Sequence, residues 1–293
     1  MRIERQAQDT LTAIEMDLGD ELHFTLASGA VRRLKLIHAG AAVTETTVET
    51  PKVEKAGAVT NYRFSARFEI DGAVYNLVRY VSSAKSFYEP WHIMGMHIWL
   101  DAVDKIFDFL TETHGECKPK KQCRLAIQDA TLRICPVLLH PWCPLPPDRL
   151  RVEDAYNGED VWMGAYHGAS AHGGLDINHP SGTPIWTPFA IDDHELFNSL
   201  AKGDNNNRWR GTHRWSNGAE WVIQVHHLSR LYVPEHKPIE AGTLLADGGG
   251  VWVGSHEHSH FVFRVRDGGG EVLLDPWILF WQMYRDRTIT STA

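Results

Sequence analysis

The chain has 293 residues, of which 43% are hydrophobic and 23% charged, which is typical of a globular protein with about two domains of roughly 100–200 residues. Its 37 acidic and 29 basic residues give a formal net charge of −8, which argues against a general binder of nucleic acid or anionic membranes. Because no apolar stretch approaches the roughly 18–20 residues that cross a bilayer, no integral membrane segment is expected.

The first third of the chain has the alternating pattern of β-strands. A strand is predicted around residues 31–36, and a hairpin over 62–80 that turns at Asp71-Gly72. Apolar residues then recur at three- and four-residue spacing over 99–110, which predicts one packing helix. This part carries no catalytic pattern.

A domain boundary is predicted where prolines concentrate, because such a segment forms neither regular helix nor central strand. The sequence thus predicts a β-rich N-terminal domain of unknown role at 1–150 and a second domain at 151–293. Five of the 14 prolines lie in this segment: Pro136, Pro141, Pro144, Pro146 and Pro147.

The four cysteines and the N-terminus bear on location. No secretory signal is recognised in the first 20 residues, so the protein is either cytoplasmic or numbered after a removed leader. The cysteine spacing is not that of a zinc ribbon, and it leaves open two disulfides or four reduced thiols. An extracytoplasmic location is expected, with a cytoplasmic one as the alternative. The cysteines are Cys117, Cys123, Cys135 and Cys143.

Histidines are concentrated in the second part of the chain, where 11 of the 17 lie between residues 167 and 260. Two β-elements carry several of them. One is a hairpin over 213–227 that turns at Asn217-Gly218, and the other is a strand over 256–263 with histidines two residues apart on one face.

Three short patterns supply candidate groups for catalysis. His172 and Asp176 are separated by Gly173-Gly174-Leu175, His258 and His260 lie two apart on one strand, and His227 follows an apolar strand. Two imidazoles and one carboxylate suit a catalytic zinc, because three protein ligands leave a tetrahedral position open for water. Such an ion lowers the pKa of that water and polarises a scissile carbonyl.

These patterns occur in the order seen in a known family, and the C-terminal part resembles the M23 family of zinc metallopeptidases, the lysostaphin/LytM-like cell-wall endopeptidases. The matching passages are HGGLDINHPSGTPIW (172–186), WVIQVHHLSRL (221–231), IEAGTLLADGGG (239–250), HSHF (258–261) and Asp275-Pro276. The passages that flank them depart from the family pattern at 191–213 and 255–257, so the groove walls differ.

The resemblance implies a mainly β fold, an antiparallel sheet or sandwich whose groove holds one Zn²⁺ per chain. His172, Asp176 and His260 would then be the metal ligands, with His227 and His258 as the catalytic pair. The expected activity is that of a zinc-dependent endopeptidase acting on peptidoglycan stem peptides or cross-bridges. The oligomeric state stays open.

Two alternatives remain. One is a noncatalytic zinc module that binds cell wall or regulates a partner. The other is a zinc-dependent polysaccharide-degrading enzyme, favoured by tryptophans near the motifs that could stack on sugars: Trp186, Trp209, Trp215 and Trp252. The other histidines near the motifs are expected to pack or face solvent, and they are His167, His179, His213, His226 and His256.

Overall fold

A computed structural model gives the protein a mainly β architecture, which confirms the predicted fold class. The structure describes residues 1–8, 11–47, 60–81, 89–108, 112–113, 118–132, 165–166, 170–171, 174–197, 207–249, 252–253, 256–268 and 270–279. Within these ranges no helix has the length and apolar character needed to cross a membrane.

The described residues divide into two compact units. The first contains those up to residue 132 together with 165–166 and 170–171, and the second contains those from 174 to 279. The predicted boundary between 150 and 151 falls outside the described residues and stays a prediction.

The described residues of the first unit form three sheets. The strands are β1 Arg2–Gln6, β2 Thr12–Met16, β3 Glu21–Thr25, β4 Val31–Thr46, β5 Thr60–Ile70, β6 Ala73–Val81, β7 Trp91–Ile93, β8 Met96–Val103, β9 Glu112–Thr113, β10 Cys123–Asp129, β11 Ala165–Tyr166 and β12 Ser170–Ala171. Their orders in the three sheets are β1-β3-β4-β5-β6, β2-β10-β8-β7 and β11-β12-β9.

The hairpin predicted over 62–80 is confirmed as β5 and β6. Its turn residues Asp71 and Gly72 have φ angles of 47° and 86°. Positive φ at both positions defines the type I′ turn, whose twist matches that of the flanking strands. The alternate β5 residues Tyr62, Phe64 and Phe68 are buried, as the period of two requires.

The helix predicted over 99–110 is wrong. Residues 96–103 form strand β8, which is followed by a short 3₁₀ helix, Asp104–Asp108. All eight residues of β8 are buried, and apart from His97 and Asp101 they are apolar on both faces, so the period of two disappears from the sequence. The remaining three- and four-residue spacing then imitates a helix.

One of the four cysteines lies within the described residues. Cys123 begins β10, is fully buried and forms no disulfide. Burial raises the pKa of its thiol, so it behaves as a small apolar core residue. The other three cysteines lie outside the described residues.

The second unit has a seven-stranded and a three-stranded sheet. The first follows the order β13-β21-β17-β16-β15, with β20 and β22 also on β21, and the second follows β14-β19-β18. The strands are β13 Leu175–Asn178, β14 Thr183–Trp186, β15 Asp193–Phe197, β16 Arg208–Arg214, β17 Glu220–His226, β18 Leu228–Leu231, β19 Leu244–Gly248, β20 Trp252–Val253, β21 His256–Asp267 and β22 Gly270–Leu274.

The two predicted C-terminal β-elements are both present. Strands β16 and β17 form the hairpin with Gly218 at a φ of 85°, and the second predicted strand lies within β21. One face of this sheet is an aromatic core in which Trp221 packs edge to face against Phe189 and Phe263. The polar residues that alternate with this core therefore lie on the opposite face.

A buried ion pair in the first unit gives a test of its packing. The Arg124 Nε atom lies 2.6 Å from the Asp101 carboxylate, and both side chains are 1% exposed or less. Replacement of Asp101 by alanine removes this carboxylate from the buried guanidinium, whose contact with Glu15 is longer, at 3.5 Å. We expect Asp101→Ala to lower the free energy of unfolding by about 3–5 kcal/mol.

Hydrogen exchange of the β8 amides measures this loss. The matched control is Asp108→Ala, which removes a pair 3.8 Å long whose side chains are both exposed. Its effect should stay below about 1 kcal/mol. Equal effects of the two substitutions would contradict the importance of the buried pair.

Candidate active site

Strand β21 carries the candidate histidines, and its pairing brings the predicted motifs together. On one edge β13 runs antiparallel to it, with Asp176 opposite His260 and Asn178 opposite His258. On the other edge β17 pairs with it up to Val225 opposite Phe261. Two of the three predicted ligands, Asp176 and His260, are thus opposite each other in the β13–β21 pairing.

The segment before β13 lies against the His260 ring. A Cβ atom added to Gly174 would lie 2.1 Å from His260 Cε1 and 2.3 Å from its Nε2, and 2.8 Å from the Phe261 carbonyl oxygen. Only glycine allows this approach. One imidazole nitrogen of His260 therefore lies at the backbone that joins residues 172 and 176.

His227 does not continue strand β17. It follows the strand with a φ of 63°, which a residue with a side chain rarely adopts. Buried Asn207 stabilises this bend: its side-chain amide donates to the Leu228 carbonyl and accepts from the Leu228 N–H, both at 2.8 Å. The bend brings the His227 ring to 5.0 Å from the His258 ring, edge to face.

His226 was expected to pack or face solvent, and it does pack, but its partners are the histidines of the site. Its ring lies 4.7 Å from the His260 ring and 6.0 Å from the His227 ring. The alternation rule places residues 226 and 227 on opposite faces only while the chain stays extended. The left-handed conformation of His227 breaks that rule, so both imidazoles belong to one cluster.

The surroundings of His226 favour its neutral form. Burial and the nearby His260 and His227 imidazoles hold its pKa well below the ordinary value, with Arg208 and Arg264 acting in the same direction. The Gln224 Nε2 atom lies 3.3 Å from His226 Nε2, so the amide can donate to an unprotonated nitrogen. His226 is therefore an uncharged imidazole beside His260.

The residue between the two β21 histidines is anchored on the opposite face. The Ser259 hydroxyl lies 2.8 Å from His179 Nε2, and the other ring nitrogen of His179 lies 3.0 Å from the Pro180 carbonyl. Since Nδ1 donates to that carbonyl, Nε2 accepts from the serine. Both side chains are buried, so His179 is satisfied structurally and is not a candidate ligand.

His213, Trp209 and His194, which lie near the motifs in the sequence, pack in the core of the second unit. His213 lies between aromatic rings, 4.6 Å from Trp215 and 5.4 Å from Phe189. Trp209 is completely buried and donates to His194 Nδ1 at 2.9 Å. It therefore does not line a groove, which weakens the sugar-stacking interpretation for this residue.

Part of the predicted ligand set lies outside the described residues. This holds for His172 and for the side chain of Asp176. Two histidines that were not predicted to be ligands, His167 and the side chain of His256, also lie outside them. Among the residues that the structure does describe, no three His, Cys, Asp or Glu side chains converge to hold a metal ion. The described donor chemistry still suits zinc, because His260 presents an imidazole nitrogen to the backbone of the His172–Asp176 motif. The ligand roles stay predictions.

No protein-family model matches this sequence, and a search of curated proteins finds no match either. Three similar solved structures are peptidases by description. Lysostaphin from Staphylococcus simulans is 18% identical, with 43% of this chain and 48% of that chain covered and a TM-score of 0.32. An M23 peptidase from Pseudomonas aeruginosa, described as putative, is 12% identical, with 93% of each chain covered and a TM-score of 0.32.

A zinc-containing peptidase from Vibrio cholerae is 12% identical, with 89% of this chain and 83% of that chain covered and a TM-score of 0.27. The match to lysostaphin spans less than half of that protein's length. TM-scores this low leave the assignment of function to the residues of the site.

The close approach at Gly174 gives a test of the site's geometry. A methyl group in Gly174→Ala would overlap the His260 ring and the Phe261 carbonyl, so β13 or His260 must move. We expect a loss of about 1–3 kcal/mol in the free energy of unfolding, measured with denaturant. Gly268→Ala is the control, because nothing lies within 4 Å of its added Cβ. Equal stability of both variants would contradict the contact.

Buried His194 gives a test of pH dependence. Burial lowers its pKa, so the unfolded chain binds a proton that the folded chain does not as pH falls below about 6.5. His194 therefore contributes to the free energy of unfolding above that pH. As the pH falls below it, this contribution is lost, by at most about 1.4 kcal/mol for each pH unit. In His194→Gln the slope of unfolding free energy between pH 7 and 5 should decrease. An unchanged slope would show that His194 does not titrate in this way.

Proposed function

We propose that this protein is a zinc-dependent endopeptidase that hydrolyses peptide bonds, with peptidoglycan stem peptides or cross-bridges as its substrate class. The observation that carries the proposal is the β13–β21 register, with Asp176 opposite His260. This register supports the proposal because Asp176 and His260, two members of the proposed His/Asp/His ligand set, are ladder neighbours although they lie more than 80 residues apart in the sequence. An extracytoplasmic location belongs to the same proposal.

In this proposal His172, Asp176 and His260 hold one Zn²⁺. When bound, zinc supplies Lewis-acid polarisation of the scissile carbonyl and lowers the pKa of a water molecule. A neutral imidazole and a carboxylate are suitable donors for such an ion. Gly174 contributes by leaving room for the His260 ring.

His227 and His258 are the proposed catalytic pair. Imidazole exchanges protons near neutral pH, so one ring can accept a proton from the attacking water and pass it to the leaving amine. The other ring can donate a hydrogen bond to the developing oxyanion. Their edge-to-face contact, together with the bend held by Asn207, supports a shared role.

Two substitutions in β21 distinguish loss of zinc binding from loss of catalytic turnover. We expect His260→Ala to lose zinc, because a ligand is removed, and His258→Ala to retain zinc and lose turnover. Elemental analysis measures the metal, at about one zinc per wild-type chain. Mass spectrometry of digested peptidoglycan measures new amino termini. Exposed His236 provides the control variant, His236→Ala, which should keep both properties.

Each other outcome points to a different function. Zinc retention by both variants would contradict the ligand assignment. Zinc in the wild-type chain without new amino termini would indicate a noncatalytic wall-binding or regulatory module. New sugar ends in place of amino termini would indicate a polysaccharide-degrading enzyme.

A further inference from the structure

A row of polar side chains continues from the histidine cluster across the same sheet. Gln224 is buried at its centre, and its Oε1 atom accepts from Arg210 Nε at 2.8 Å and from Arg264 Nη1 at 2.9 Å. Its amide nitrogen reaches His226. Arg208 lies directly opposite His226 in the β16–β17 ladder. The row therefore begins with Arg208, which is paired with the residue next to His227, a candidate catalytic group.

The arginines of this row differ in how their charges are balanced. Arg264 has a carboxylate partner, because its Nε lies 3.3 Å from Glu271. Arg208 and Arg210 form no ion pair with any acidic residue in the described part of the chain. Within the described residues these two positive charges beside the cluster have no acidic partner, in a protein whose net charge is −8.

Both unpaired arginines are held in place by one aromatic ring. The guanidinium carbons of Arg208 and Arg210 lie 4.8 and 5.0 Å from the centroid of the Phe197 ring. Stacking on an aromatic face fixes the plane of a guanidinium and leaves its edge for hydrogen bonding. The guanidinium groups of Arg208 and Arg210 are therefore already oriented before a ligand binds.

Arg208 has a donor that no described group satisfies. Its Nε atom is buried without a hydrogen-bond partner among the described residues. A buried, unsatisfied donor costs free energy, and more so when it is charged. Carboxylates match the terminal nitrogens of a guanidinium with two parallel hydrogen bonds, so a carboxylate bound to Arg208 would balance its charge without reaching the buried Nε atom.

We propose that Arg208 and Arg210 form a subsite for a carboxylate of the substrate, either an acidic side chain or a free C-terminus close to the cleaved bond. This inference rests on the proposed function and narrows its substrate class to acidic peptides. Phe197 and Gln224 are positioning residues of the subsite, since each acts by orienting a guanidinium.

A matched pair of peptides tests the subsite. One peptide is released from purified wall material with its free carboxylates, and the other is the same peptide with its carboxylates converted to carboxamides. We expect the wild-type chain to cleave the acid form with a kcat/KM about 10- to 100-fold higher, the range of a charged hydrogen bond. In Arg208→Gln, which keeps a polar side chain and loses the charge, the ratio should fall towards one.

Arg214→Gln is the control, because Arg214 lies on the same strand but pairs with Glu220 at 3.0 Å. It should retain the wild-type preference. Equal cleavage of the two peptides by the wild-type chain would overturn the subsite. So would an Arg208→Gln variant that keeps the full preference.

Calorimetric binding of the two peptides separates this inference from the proposed function. If neither peptide is cleaved but the acid form binds at least tenfold more tightly, the peptidase proposal fails and the subsite stands. If the acid form is bound no better than the amide, the subsite fails whether or not cleavage occurs. The same binding assay serves for Arg210→Gln should Arg208→Gln not fold.

Discussion

The site depends above all on the register of β21 with its two neighbours. Because side chains alternate along a strand, a slip of one residue against β13 would turn every side chain of β21 to the other face. Two features on the opposite side of the sheet fix this register. Ser259 is hydrogen bonded to His179, and Phe261 and Phe263 are buried in the aromatic core. The apolar face thus determines where the polar face presents its histidines.

The polar face is organised by hydrogen bonds and ring contacts more than by ion pairs. Gln224 receives two arginine donors and supplies a donor to His226, so a single buried amide connects positive charge to the imidazole cluster. Positive charges near a buried imidazole disfavour its protonation. Burial is the main cause that holds the pKa of His226 low, and the neighbouring imidazoles, Arg208 and Arg264 act in the same direction. Arg208 and Arg210, which have no acidic partner in the described part of the chain, lie beside the same cluster.

The bend at His227 brings its ring to the same face as His226, which a regular strand could not do. A residue at the end of an extended strand would place its ring on the face away from His226, and a positive φ reverses that direction. The cost of such a conformation is of the order of 1–3 kcal/mol and has to be offset by the surroundings. Asn207 does this by binding both backbone groups of Leu228.

The sequence by itself determined the strand 62–70, which has one buried face, and both turns, because alternation and turn residues are local signals. It also determined which motifs would be candidates for the site. It could not determine β8, whose burial on both faces erases the alternation, nor the position of the His227 ring beside His226, which depends on the left-handed backbone conformation of His227 itself. Only the tertiary structure decided these points, since burial on both faces and a left-handed bend held by a distant asparagine arise from contacts between segments far apart in the chain.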